Sequence, residues 1–293
     1  MKNVINYYYG LIATDIIKKG QIYRFTINGS EFLFKPCNED INKIIDLYMA
    51  IYSSGFYCHE IVYNKENSPV TLCENIPYVL FKKNNDIRKK VEFIDIINYN
   101  IPITYEKSFN WPELWSQKID YYEYQVNQFG KKFPLIRESF SYYDGMIETA
   151  ISLSNLVDKR NLKFYLSHNR IKSDEKFDEF YNPINFVLDV KVRDVCEYFK
   201  EKFFSEEIDF NELENYIYQA KLTNDEAILF LARMLFPSYY FDTYDEIIQG
   251  VKQEEKILIY LEKVDLYEDF LAKIYYILKI FYQIPEIEWI KKI

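Results

Sequence analysis

Glycines, histidines and cysteines, which form the best-known phosphate-binding and metal-binding motifs, are few in this chain of 293 residues. No two of its seven glycines lie closer than nine residues apart, so it has neither a P-loop nor a dinucleotide-binding loop, both of which wrap phosphates with closely spaced glycines. Its two histidines, His59 and His168, and its four cysteines, which include no CxxC pair, would form a zinc site only from distant segments. Without a Gly-x-Ser-x-Gly elbow, a serine hydrolase is disfavoured as well.

The overall composition indicates which kinds of protein and which kinds of partner are expected. Apolar residues make up 49% of the chain and the net charge is -9, which favours a folded protein with a sizeable core and disfavours nucleic acid as a partner. No apolar run is long enough to predict a membrane-spanning helix. With no secretory leader in front of the cysteines, we expect reduced, buried thiols in a protein made in the cytoplasm.

The elements expected to position the functional residues change in character along the chain. Residues 21–29 and 30–36 predict a β-hairpin across Asn28-Gly29, residues 41–52 predict a helix ended by Gly55, and residues 60–64 and 76–83 predict a second strand pair. From residue 84 onward the apolar spacing is helical. The first predicted helix begins at Asn110 and continues to Gly130. The others cover 142–157, 192–204, 211–220, 225–235, 239–250 and about 254–282.

This order predicts an α+β protein with a small antiparallel-sheet lobe, residues 1–83, and a larger mainly helical lobe, residues 84–293. It is the order of elements in the bilobal protein-kinase-like fold, although a fold alone does not establish an activity. Phosphoryl transfer uses a strand lysine for phosphates, an acid that accepts the hydroxyl proton, and Asn and Asp ligands for magnesium. Lys35 lies on the second arm of the hairpin, where such a lysine would be, or it is an edge-strand lysine that reaches solvent. Its acidic partner would come from the next helix, where Asp46 is one candidate.

Three segments carry a more specific resemblance: YDGMIETAI (143–151), DVKVRDVCEY (189–198) and ARMLFPSYYFD (232–242). They are similar, in the same order, to segments of the spore coat CotS/YutH family, and the chain looks closer to the YutH branch. That family is itself similar to aminoglycoside and choline phosphotransferases. The resemblance covers nearly the whole chain and is strongest from about residue 111 to 250. It implies a kinase-like fold and a role in the spore coat.

The residues at the family's functional positions are altered. Active relatives carry His-Gly-Asp and then a magnesium-binding Asn, whereas the matching stretch here reads His168-Asn169-Arg170, which places a guanidinium where the catalytic Asp would be. The magnesium-binding Asn falls near Glu175, and the metal-binding Asp falls on Asn182. The resemblance therefore implies a degenerate loop that cannot supply a base or hold metal-bound ATP.

Two alternatives stay open for these positions. Asp189 is the metal-binding Asp if the alignment is shifted, although RDVCEY (193–198), with Asp194 in its first turn, fits the helix start that follows. His168 is either a hydrogen-bonded core histidine or, less simply, a catalytic one.

From the resemblance we expect a pseudokinase of the spore coat, made in the cytoplasm of a sporulating bacterium and acting as a structural or interaction component with other coat proteins. No cofactor or metal is then expected, and Lys35 is vestigial. The alternative is a small-molecule or saccharide phosphotransferase that uses ATP, magnesium and a rearranged acid set with Asp189 or Asp174. A third hypothesis is a binding module with an aromatic pocket for a sugar or nucleotide.

Overall fold

The computed structural model describes residues 1–37, 40–84, 91–104, 109–171 and 177–290. The chain divides into two compact units: the first consists of Met1–Ile103 with Leu166–Leu188, and the second of Thr104–Tyr165 with Asp189–Ile293. The lobe boundary expected between residues 83 and 84 stays a prediction. No helix in the described ranges is long and apolar enough to cross a membrane.

The first unit is built on an antiparallel sheet in the order β1-β2-β3-β6-β4, with β5 also paired to β6. Its elements are α1 (Lys2–Tyr9), β1 (Ile17–Lys19), β2 (Ile22–Ile27), β3 (Ser30–Pro36), α2 (Ile41–Ser53), β4 (Glu60–Val62), β5 (Val70–Cys73), β6 (Ile76–Lys82) and α3 (Phe93–Tyr99). The predicted hairpin is confirmed as β2 and β3. Asn28 and Gly29 both adopt positive φ (49° and 80°), the conformation that a two-residue hairpin turn requires.

Alternation along the strands gives the sheet two apolar faces. One face packs against α1 through a cluster that contains Ile5, Phe25 and Phe34. The opposite face packs against α2 through a second cluster. Lys35 pairs with Val79 across β3 and β6, and Val79 belongs to that second cluster, so Lys35 lies on the α2 face. The pairing of the strands therefore determines on which face of the sheet Lys35 lies.

A short segment completes the first unit. It contains α6 (Phe177–Phe180) and a 3-10 turn (Pro183–Asn185). The strands β7 (Phe164–His168) and β8 (Phe186–Val190), which flank this segment in sequence, pair with each other as a separate two-stranded sheet.

The second unit is mainly helical. Its helices are α4 (Trp111–Phe129), α5 (Pro134–Asn155), α7 (Arg193–Phe204), α8 (Phe210–Gln219), α9 (Asn224–Leu235), α10 (Ser238–Ile248), α11 (Leu258–Leu261) and α12 (Val264–Phe281). Residues 227–235 of α9 are all buried, so this helix is the core around which the others pack. Thr223 and Glu226 begin α9 with a capping box, in which each side chain accepts a hydrogen bond from the other's backbone amide.

The structure differs from the sequence prediction in several elements. The helix expected over 142–157 begins earlier, because Pro134 fits the first turn of α5. The stretch expected as one helix over about 254–282 consists of a 3-10 turn (Glu254–Ile257), α11 and α12. Its breaks contain no Gly or Pro, so periodicity alone could not reveal them. The sequence analysis also predicted none of β5, α1, β1, β7 and β8.

Candidate functional site

Lys35 forms an ion pair with an acid that lies 144 residues later in the chain. Its Nζ donates a hydrogen bond to Oε2 of Glu179, on α6, over 2.6 Å. The two side chains are partly exposed, at 19% and 22%. The sequence analysis looked for this acid on α2, but Asp46 is exposed and Lys35 pairs with Glu179 instead.

Asn182 is the third member of this site. It is fully buried, and its Nδ2 donates to Oε2 of Glu179 over 3.4 Å. Its Oδ1 accepts the backbone N–H of Ile184 over 3.2 Å and so caps the 3-10 turn that begins at Pro183. The amide thus offers hydrogen-bond donors to the site, while its oxygen is used by the turn. We call these residues the Lys35–Glu179–Asn182 cluster.

Asn185 connects this cluster to the segment that contains Arg170. Its Nδ2 donates to the backbone oxygens of Glu179 (2.9 Å) and Arg170 (3.0 Å), and its Oδ1 accepts the backbone N–H of Arg170 over 3.2 Å. Arg170 itself is exposed, and its guanidinium donates to the backbone oxygen of Asn169 over 2.8 Å. A guanidinium in this place can donate hydrogen bonds but cannot accept a proton.

His168 lies in the core of the first unit. Its ring stacks on Phe180 with 4.2 Å between centroids, and its Nε2 lies 3.0 Å from the backbone oxygen of Phe180, which can only accept a hydrogen bond. Tyr99 contacts both rings. Burial raises the pKa of Tyr99 well above its ordinary value, so its hydroxyl remains a donor to the backbone oxygen of Tyr57. This environment is that of a packed core histidine.

The carboxylate of Asp189 has partners within the second unit. It accepts the backbone N–H of Val190 over 2.8 Å and pairs with Arg193 one helical turn later. Asp194 is buried in the first turn of α7. The other acids considered from sequence, Asp174 and Glu175, lie outside the described residues.

Metal and thiol chemistry find little support in the part of the chain that the structure describes. There, no group of three or more His, Cys, Asp and Glu side chains is placed to hold a metal ion. All four cysteines are free, and burial raises the pKa of Cys58 to about 12, so that thiol stays protonated. Asn182 itself does not fit a magnesium ion that carries ATP, because its side chain is a neutral amide whose oxygen already accepts the backbone N–H of Ile184.

A cavity of about 270 Å³ opens on the sheet of the first unit. Its lining includes Arg24, Leu33 and Phe81, which are paired across β2, β3 and β6. Because Leu33 and Lys35 are two residues apart on one strand, this wall of the cavity and the lysine belong to the same face of the sheet.

The sequence comparisons agree with the fold. A family model described as "Spore coat putative kinase YutH" matches residues 2–274. The chain belongs to this family. The endospore coat-associated protein YutH of Bacillus subtilis (strain 168) is 24% identical over a 337-residue alignment that covers 100% of this chain and 98% of that protein. The resemblance stated from the three sequence segments is confirmed.

Solved structures show the fold of this YutH-family chain independently. An aminoglycoside phosphotransferase from Alicyclobacillus acidocaldarius matches with a TM-score of 0.65 at 10% identity, covering 93% of this chain and 95% of that one. A spectinomycin phosphotransferase in complex with ADP and spectinomycin matches with a TM-score of 0.52 at 12% identity, covering 88% and 95%. The predicted α+β, kinase-like fold is confirmed.

Glu179 is the site residue that the sequence analysis missed. It lies only three residues before Asn182, in the run FDEFYN (177–182), and no spacing rule distinguishes it from its neighbours. Its proximity to Lys35 depends on how α6 returns to the sheet, which is a tertiary effect. Only its negative charge could have indicated Glu179, because an acid that lies close in sequence to Asn182 can pair with a lysine of the same site.

Proposed function

We propose that this protein of the spore coat YutH family is a pseudokinase, a kinase-like protein that acts as a structural or interaction component of the spore coat and does not transfer phosphoryl groups. The observation that carries this proposal is Asn182 in the Lys35–Glu179–Asn182 cluster, because the position that the resemblance assigns to the metal-binding Asp holds a neutral amide whose oxygen already accepts the backbone N–H of Ile184. The name of the Bacillus subtilis relative supports the coat as its location.

The chemistry of Asn182 and of Arg170 opposes phosphoryl transfer, each at a different step. Magnesium prefers oxygen ligands with negative charge, but the Asn182 oxygen already accepts the backbone N–H of Ile184. Proton removal from an attacking hydroxyl needs a base, and Arg170, at the corresponding position, stays protonated. We infer that the fold serves contacts with other coat proteins, in a protein made in the cytoplasm of the sporulating cell and requiring no cofactor.

Calorimetric titration with ATP tests this proposal directly. The full chain and the Lys35→Ala variant are each titrated with ATP in the presence and absence of magnesium, with an active aminoglycoside phosphotransferase as the positive control. We expect no heat of binding from either form of this chain. Micromolar affinity of the wild-type chain for magnesium-ATP, or ATP consumption in a screen of small-molecule and saccharide acceptors, would show that the proposal is wrong.

The second candidate is an ATP-dependent small-molecule or saccharide phosphotransferase. It is favoured by the cavity of about 270 Å³, because that volume opens on the face of the sheet that carries Lys35. Asp189 or Asp174 would then act in a rearranged acid set. This candidate predicts magnesium-dependent ATP binding that is lost in Lys35→Ala and in Asp189→Asn, with the fold of each variant checked by circular dichroism.

A further inference from the structure

The Lys35–Glu179 pair has the features of an occupied anion site. The ammonium group has three N–H donors, and the carboxylate of Glu179 takes one of them over 2.6 Å. Asn182 adds a second donor that points at the same carboxylate oxygen. An oxygen anion held by an ammonium and an amide N–H is the arrangement that also binds a phosphate oxygen.

We propose that the Glu179 carboxylate occupies an anion-binding site formed by Lys35 and Asn182 and competes there with phosphate-bearing ligands. This inference rests on the proposed function, because it explains how the phosphate-binding lysine of a kinase-like fold is kept from its ligand. Glu179 is an internal competitor, and its removal uncovers a site for a polyphosphate chain that needs no metal ion.

The local structure allows the carboxylate to be displaced. Glu179 belongs to α6, which has only four residues, so few helix hydrogen bonds hold it. The Lys35 and Glu179 side chains keep about a fifth of their surface exposed, so solvent reaches part of each side chain of the pair. The backbone oxygen of Glu179 is fixed by Asn185 over 2.9 Å. A substitution at the Glu179 side chain therefore leaves the course of the backbone supported.

The strength of the competition follows from charge. In the wild-type chain an incoming phosphate must replace a covalently tethered anion and also lies beside its negative charge. Glu179→Gln keeps the size and the hydrogen-bonding oxygen of the side chain and removes both effects. We expect the affinity for a polyanion to rise by about tenfold or more, the order of effect that one close charge produces near a protein surface.

The test uses inorganic tripolyphosphate and EDTA, so that neither an adenine base nor a metal ion contributes. Calorimetry should show binding to Glu179→Gln that is at least about tenfold tighter than binding to the wild-type chain, and the double variant Lys35→Ala/Glu179→Gln should lose this gain. Glu60→Gln is the matched control, because Glu60 pairs with Lys82 over 3.6 Å on the same sheet and its substitution changes the net charge equally. An equal gain in Glu60→Gln, or no gain in Glu179→Gln, overturns the inference.

A second measurement covers the case in which Glu179→Gln does not fold. Glu179→Asp keeps the charge but shortens the side chain by one methylene, so the carboxylate no longer reaches Lys35 at 2.6 Å. Acylation of Lys35, followed by peptide mass spectrometry, should be faster in this variant than in the wild-type chain, and tripolyphosphate should slow it. Equal acylation rates with and without tripolyphosphate overturn the inference.

The two proposals fail in different ways. Tight binding of magnesium-ATP to the wild-type chain contradicts the proposed pseudokinase function. If neither the wild-type chain nor Glu179→Gln binds tripolyphosphate, the proposed competition by Glu179 is wrong, whereas the pseudokinase proposal is unaffected. Titration of Glu179→Gln with ATP in EDTA separates two ligand classes: affinity equal to that for tripolyphosphate assigns the site to the phosphates, and tighter binding adds a contribution from the base. Both of these outcomes support an uncovered anion site.

Discussion

Removing the charge of Glu197 should destabilise the second unit more than any ordinary surface substitution. The carboxylate of Glu197, on α7, accepts from Lys200 Nζ (2.6 Å), Arg233 Nε (2.7 Å) and Ser238 Oγ (2.8 Å). Burial alone would raise the pKa of Glu197, but Arg233 and Lys200 outweigh it and hold the pKa well below its usual range. The single carboxylate therefore stabilises two buried cations.

The size of the effect follows from what remains in Glu197→Gln. The amide keeps the shape of the side chain but removes the ion pair between Arg233 and Glu197, and a guanidinium cannot lose its proton. Lys200 can, because burial lowers its pKa to about 8 even beside Glu197, and it loses its proton more readily once the carboxylate is gone. Removing one partner of a buried pair costs about 3–5 kcal/mol, and relief through Lys200 places this variant near the lower end, at about 3 kcal/mol.

Urea unfolding followed by circular dichroism measures this loss. With a slope of about 3 kcal/mol per molar urea, the midpoint should fall by about 1 M. Glu246→Gln is the control: Glu246 pairs with Lys252 over 2.5 Å, the two side chains are 36% and 40% exposed, and the loss of this pair should cost less than about 1 kcal/mol. Because the folded-state pKa of Lys200 lies below its unfolded value, the stability of Glu197→Gln should rise between pH 7 and about pH 9. A Glu197→Gln midpoint equal to that of Glu246→Gln would refute this reasoning.

Two further predictions concern alkaline stability and backbone conformation. Burial raises the pKa of Tyr240 to about 12, so the stability that this neutral phenol contributes is complete below about pH 10 and is lost between about pH 10 and 12, by up to about 3 kcal/mol. Tyr240→Phe should therefore lose less stability than the wild-type chain over that range in urea midpoints measured at successive pH values, and an unchanged slope would contradict the assignment. Gly29→Ala should destabilise by about 1–2 kcal/mol, because φ is +80° there, whereas Gly145→Ala, exposed within α5 and with no atom near the added Cβ, should stabilise by up to about 1 kcal/mol. Urea midpoints of the two variants that shift in the same direction would contradict this comparison.

The fold of this chain was predictable where local chemistry decides it. The Asn28-Gly29 turn defines its hairpin by backbone conformation alone. The predicted helix over 41–52 is α2, and Asp40 caps it through a carboxylate that accepts the N–H of Asn42 over 3.0 Å. The separation of residues 254–282 into a 3-10 turn, α11 and α12 could not be predicted in this way. Residues 254–282 keep helical spacing throughout, while the break between α11 and α12 accompanies a tertiary contact, in which Lys263 donates to the backbone oxygen of Phe204 over 3.2 Å.

The candidate site was harder to predict than the fold, because its residues meet only through tertiary structure. The strand run around Lys35 predicts a lysine on one face of a sheet, and the family resemblance indicates Asn182 as an altered position. Neither pattern identifies Glu179, since the distance from Lys35 is 144 residues and nothing in the intervening sequence constrains it. An acid was expected on α2 only because that helix follows the strand of Lys35 in the chain. In the structure the partner of Lys35 is Glu179, on α6.

The three segments that carry the family resemblance meet in the core of the second unit. Tyr143 from the first segment stacks on Tyr240 from the third with 3.7 Å between ring centroids, and Glu197 from the second holds Arg233 from the third. These are buried packing and ion-pair contacts whose loss would cost stability. Resemblance in these segments is therefore evidence about the fold and is independent of activity.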